Sequence, residues 1–144
     1  MREIKFRAKE RSGEWHVGSL FVEDGMGIPY IVSGVNTHYE TNYLTVEVVS
    51  ETVGQFTGLK DPTGKEIYEG DILECLALDD GPFVVRVVFR NGAFHTDVHD
   101  GVNGADFTCL LADLFSLGEV RIVGNIWDGY PKFVSIEGIG GFEK

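Results

Sequence analysis

Cysteine, proline and basic charge are all scarce in this chain, and no long apolar run occurs. Two cysteines, Cys75 and Cys109, lie far apart and in no C-x-x-C pattern. That excludes a zinc knuckle, a dithiol redox centre and a disulfide scaffold, and reads as free thiols in a reducing compartment. No apolar stretch approaches the roughly 20 residues of a membrane span. The opening Met1-Arg2-Glu3-Ile4-Lys5 has no apolar segment behind its charges, so a cytoplasmic protein is the expectation. Against four prolines stand 19 glycines in 144 residues, nearly double the usual share of about 7%. Glycine is needed mainly where the chain turns with positive φ, so many tight turns and many short strands are implied.

Basic residues number 12 against 23 acidic ones, a net charge of −11. Five of the basic ones, Arg2, Lys5, Arg7, Lys9 and Arg11, fall in the first eleven positions, leaving a net −14 on residues 12–144. A body of that sign repels phosphate backbones, so direct nucleic-acid binding is not expected, and the lack of an apolar run makes no membrane the expectation as well. The basic segment has two readings: it meets acidic surface, its own or a neighbouring subunit's, or it guards an exposed edge strand against unwanted pairing.

Periodicity of two runs through most of the chain. Ile4, Phe6 and Ala8 alternate with Lys5, Arg7 and Lys9, and Trp15, Val17, Ser19 and Phe21 share one face of a second strand. Residues 28–32, 44–49 and 53–56 are further short strand candidates between Gly-, Asn- and Thr-rich segments. Residues 57–65 read as a connection, in which Asp61-Pro62-Thr63-Gly64 places each residue where a type I turn wants it. Gly58 and Gly64-Lys65 do not make a phosphate loop. The glycine spacing is wrong, Glu66 replaces the hydroxyl residue, and no helix pattern follows.

Residues 72–78 are apolar on both faces apart from Glu74, as in a central strand. Residues 83–90 and 93–98 flank Asn91-Gly92, the dipeptide suited to a two-residue type I′ hairpin turn. That loop sets Phe89 opposite Phe94, Val87 opposite Thr96, Val85 opposite Val98, Val88 opposite His95 and Arg86 opposite Asp97. Phe107, Leu110, Leu111, Leu114 and Leu117 predict one helix over 107–117, with Asp106 as cap and Gly118 as stop. The fold class is thus mostly β: an antiparallel meander over 1–58 and a small SH3-like barrel over 59–144, one compact unit with a shared core.

Three clusters bear on chemistry. His95, Asp97 and His99 at i, i+2 and i+4 of one strand project to one side and could ligate a metal for hydrolysis. The hairpin register instead gives Asp97 to Arg86 and turns this face to solvent. Glu66, Glu69, Asp71 and Glu74 could supply paired carboxylates, although an acidic chain produces such groupings on a solvated edge. His16 and His38 have no nucleophile arranged around them, and Trp15 and Trp127 read as core anchors. No catalytic residue and no cofactor follow from the residues.

Arg2-Glu3-Ile4-Lys5-Phe6-Arg7, Gly13-Glu14-Trp15 with Gly18-Ser19-Leu20, the run over 52–61 continued by 64–72, and Ile122-Val123-Gly124-Asn125-Ile126 together resemble the YopX family of bacteriophage and prophage proteins. Order and spacing agree from the N-terminus to about residue 128. No family motif falls within 74–121 or beyond Gly129. The resemblance implies a β-rich protein with an SH3-like portion, a homo-oligomer, and no catalytic residues to carry over. With the charge distribution, it predicts an accessory protein acting through contacts with itself and with a host or phage protein. A metal-dependent hydrolase on His95, Asp97 and His99, and an acidic nucleic-acid mimic that occupies a host DNA-binding protein, are the alternatives.

Overall fold

The computed structural model describes residues 1–36, 41–77, 81–98 and 108–129. It divides into two compact units, Met1–Gly58 and Leu59–Lys144. Both are built of antiparallel strands, and among the described residues the one α-helix is a single turn. No helix of the described residues is long and apolar enough to cross a membrane.

In the first unit, strands β1 (Phe6–Lys9), β2 (Trp15–Val22), β3 (Pro29–Asn36), β4 (Thr41–Glu47) and β5 (Gly54–Lys60) lie in the order β4-β3-β2-β1-β5. Strand β1 pairs with β2 on one side and β5 on the other. It is therefore an interior strand, and its lysines and arginines do not guard an edge. Alternation sends Phe6 and Ala8 into a small core with Leu20, Ile31, Val46, Val48 and Val53. The opposite face carries the basic side chains, which lie over aromatic rings: Lys5 Nζ is 5.2 Å from the Phe56 centroid, and Arg7 Cζ and Lys9 Nζ are 5.0 and 5.5 Å from that of Trp15. Their stems cover apolar surface while the charges favour the ring faces. Trp15, Val17, Ser19 and Phe21 do share a face of β2, and it is the outward one, with Val17 and Phe21 about half exposed. The inward face runs through Gly18, where a Cβ would overlap the Val32 carbonyl.

Strand β5 continues past Gly58 into the second unit, where β6 (Glu66–Tyr68) is its neighbour. The connection expected over 57–65 is accordingly shorter than the sequence suggests. Strand persists to Lys60, and the turn is 61–64, closed by Gly64 N–H donating to the Asp61 carbonyl at 2.9 Å. The other sheet has the order β10-β9-β8-β7-β11, formed by β7 (Asp71–Ala77), β8 (Gly81–Arg90), β9 (Ala93–Val98), β10 (Thr108–Leu110) and β11 (Gly118–Asn125). Ile67, Leu73, Cys75, Val85, Val87, Leu111, Leu114 and Val120 make its core. Strand β7 lies between β8 and β11 with Ile72, Leu73, Glu74 and Cys75 all inaccessible, the two-sided burial its apolar sequence implies.

The β8–β9 hairpin adopts the expected register throughout, from Val85 opposite Val98 to Phe89 opposite Phe94. Asn91 (φ 53°) and Gly92 (φ 80°) form the loop, both left-handed as a type I′ turn requires. Phe89 and Phe94 meet edge to face at 5.2 Å. The helix expected over 107–117 is reduced to α1 (Leu111–Leu114). Thr108–Leu110 is strand β10, which pairs with β9, whereas Asp106 and Phe107 lie outside the described residues. Only Leu111 and Leu114 of the leucine series are buried, so one turn suffices to place them.

Candidate functional site

The run over 57–72 that carries the family resemblance resolves into structural work. Asp61 is nearly inaccessible. Its Oδ1 accepts from Thr63 N–H (2.9 Å), Thr63 Oγ1–H (2.6 Å) and Lys65 N–H (3.0 Å), and its Oδ2 from Ile122 N–H on β11 (3.4 Å). Burial alone would raise its pKa; the four donors outweigh it and hold the carboxyl below its ordinary value. Asp71 Oδ2, also buried, accepts from Tyr68 N–H at 2.7 Å. Between them Gly70 has φ 92°, a Cβ there would overlap the Trp127 ring, and its N–H and carbonyl bond Val87 and Ile126. Only glycine fits such a position.

The acidic series 66–74 therefore does not act as a set. Glu66 Oε1 accepts from Tyr68 O–H at 3.1 Å, Asp71 closes its turn, and fully buried Glu74 takes Arg121 of β11 at 2.6 Å. The second oxygen of Glu74 has no hydrogen bond among the described residues. Glu66, Asp71 and Glu74 are each committed to a different local partner. Trp127 packs on Gly70, while Trp15 carries two cations.

On β9, His95 and Asp97 project from the same face, as their spacing requires; His99, like His38, lies outside the described residues. Asp97 lies opposite Arg86 in register, but that pair is 4.0 Å apart. Its close partner is Arg90, which donates from both terminal nitrogens at 2.6 and 3.3 Å. A metal at Asp97 would have to displace that two-pronged contact. Among the described residues, one trio of ligand-type side chains converges: Glu10, Glu14 and His16. The β1–β2 turn creates it, because Glu10 N–H donates to the Glu14 carbonyl and the register places His16 opposite Ala8. His16 Nε2 is 3.3 Å from Glu10 and 3.9 Å from Glu14, and Glu10 is held below the usual carboxylate range chiefly by His16, then by Ser12 and Glu14. Glu14 is two residues from His16 in the sequence, whereas Glu10 reaches it only when the hairpin closes, so a search for a nucleophile around His16 misses the trio. Cys75 is buried and its thiol pushed up by that burial and by Cys109, the opposite of an activated nucleophile.

The first unit also holds a cavity of about 250 Å³, lined by Arg11, Pro29, Glu47, Ser50 and Glu51 among others. Nearby, residues 42–45 of β4 are exposed in succession, with Tyr43 at 73% and Leu44 at 50%. Among the described residues, strand β4 is the last strand of its sheet and pairs only with β3.

The family model described as YopX protein matches residues 5–131. No curated protein matches the chain. The crystal structure of protein EF1440 from Enterococcus faecalis is similar, with a TM-score of 0.53 at 23% identity over 88% of this chain and 94% of that one. At that identity the likeness concerns the fold.

Proposed function

The chain belongs to the YopX family, and from that premise we propose that it is a non-enzymatic accessory protein of a bacteriophage or prophage, acting in the host cytoplasm through protein contacts as a homo-oligomer. The observation that carries this reading is the contrast between its polar groups and its apolar surface. Asp61, Asp71, Glu74 and Asp97 are each bound to a local partner, whereas Val17, Phe21, Tyr43 and Leu44 of the first unit stand exposed. Exposed apolar surface of that kind marks contact sites on soluble proteins. We read residues 1–58 as a β-meander lobe and residues 59–144 as an SH3-like barrel lobe. The short helix directly ahead of β11 supports the second assignment.

The basic strand does not drive the self-association in this reading. Lys5, Arg7 and Lys9 lie over rings of their own unit, and Lys5 reaches Glu3 at 2.9 Å. Light scattering on the full chain at about 0.05 M and about 0.5 M salt tests it. A multimer that persists or grows at the higher salt is expected, because copies of net charge −11 repel. A monomer under both conditions contradicts the proposal.

A further inference from the structure

Resting on the reading of the chain as a homo-oligomer, we infer that β4 is where two copies join, edge to edge and antiparallel about a two-fold axis. Each sheet has two outer strands, and proteins shield such strands by shortness, charge, proline or a bulge. Strands β6 and β10 are three residues long. Strand β11 carries Glu119 and Arg121 and is bulged between Ile122 and Gly124. Strand β4 has none of these devices. It is seven residues, Thr41-Asn42-Tyr43-Leu44-Thr45-Val46-Glu47, unbulged against β3, without lysine, arginine or proline, and charged only at its last position.

The backbone groups that face outward follow from the ladder. Val48 N–H donates to the Pro29 carbonyl at 3.1 Å, toward β3. Alternation then turns the N–H and C=O of Val46, Leu44 and Asn42 to β3, and those of Glu47, Thr45, Tyr43 and Thr41 to the open side. A two-fold axis at Leu44 is the register that uses all seven residues and matches outward groups with outward groups. Tyr43 of one copy falls opposite Thr45 of the other, an aromatic–β-branched pair, and Leu44 opposite Leu44. Glu47 falls opposite Thr41, so the strand's single charge does not meet its own copy.

That last point selects the occupant. The chain as a whole carries a net charge of −11 and repels an identical chain, whereas β4 is uncharged except at Glu47. Tyr43 shares its face with Phe21 and Val17, which extend the apolar surface inward from the edge.

Sedimentation equilibrium of the full chain and two variants tests the inference. Tyr43→Lys with Thr45→Lys alters two exposed side chains and sets like charges across the axis. Thr45→Pro removes an outward N–H without touching the β3 ladder. The wild type is expected at the mass of two chains, and both variants at that of one, with association weakened about tenfold or more and unchanged circular dichroism. Should Thr45→Pro not fold, the lysine variant decides alone. A folded lysine variant that stays dimeric overturns the β4 assignment and leaves the homo-oligomer standing; a wild type that is monomeric at every concentration overturns both.

Discussion

Asp61 spends both carboxylate oxygens on its own turn and on β11, so the fold should feel its substitution at neutral pH and its protonation as pH falls. Because its folded pKa is depressed, its contribution is fully present above the ordinary value of 3.8 and fades as pH falls below that toward the folded value. Asp61→Asn keeps the size but offers a donor where Oδ2 now accepts. Urea unfolding at neutral pH should show a loss of roughly 1–3 kcal/mol, and the acid limb of the stability curve should be shallower than in the wild type. Glu74 gives a second residue-scale test. Arg121→Ala strands a fully buried carboxylate. The expected cost is about 2–3 kcal/mol in urea unfolding, below the range for a fully buried pair because Arg121 is partly exposed. An unchanged midpoint would contradict the assignment of Arg121 as its charge partner.

At the scale of elements, the β8–β9 hairpin rests on two left-handed residues. Asn91→Val is expected to cost about 1–2 kcal/mol, whereas Asn91→Gly should be nearly neutral; thermal melts compare them. This hairpin was legible in the sequence because three signals agree on one register: the Asn-Gly loop, the facing phenylalanines and the valine alternation. The helix was not, since leucines at 110, 111, 114 and 117 satisfy helical spacing, yet Leu110 belongs to a strand and Leu117 to a turn, both exposed. Periodicity likewise put β1 in a strand but could not place it in the sheet. Lysines alternating with apolar residues look alike on an edge and over a tryptophan.

Across the whole molecule, the stretch that identifies the family is the stretch that holds the second unit together. Asp61, Ile67, Gly70, Asp71 and Ile72 are buried or sterically fixed. A signature made of turn and core residues reveals kinship and fold, and says nothing about chemistry. The candidate contact surface escaped sequence reading for a related reason. Thr41–Glu47 is an ordinary strand by composition, and it becomes an open edge only through the order β4-β3-β2-β1-β5. In the trio at Glu10, Glu14 and His16, the last two are already i and i+2 in the sequence, and the turn brings in Glu10.

Amide hydrogen exchange at Tyr43 and Thr45, followed by NMR as protein concentration is raised through the association range, reads the open edge of β4 directly. Exchange at these two amides should slow with concentration, and the slowing should vanish in the Tyr43→Lys, Thr45→Lys variant. Rates that stay fast and identical at every concentration would contradict the pairing of two chains through this strand.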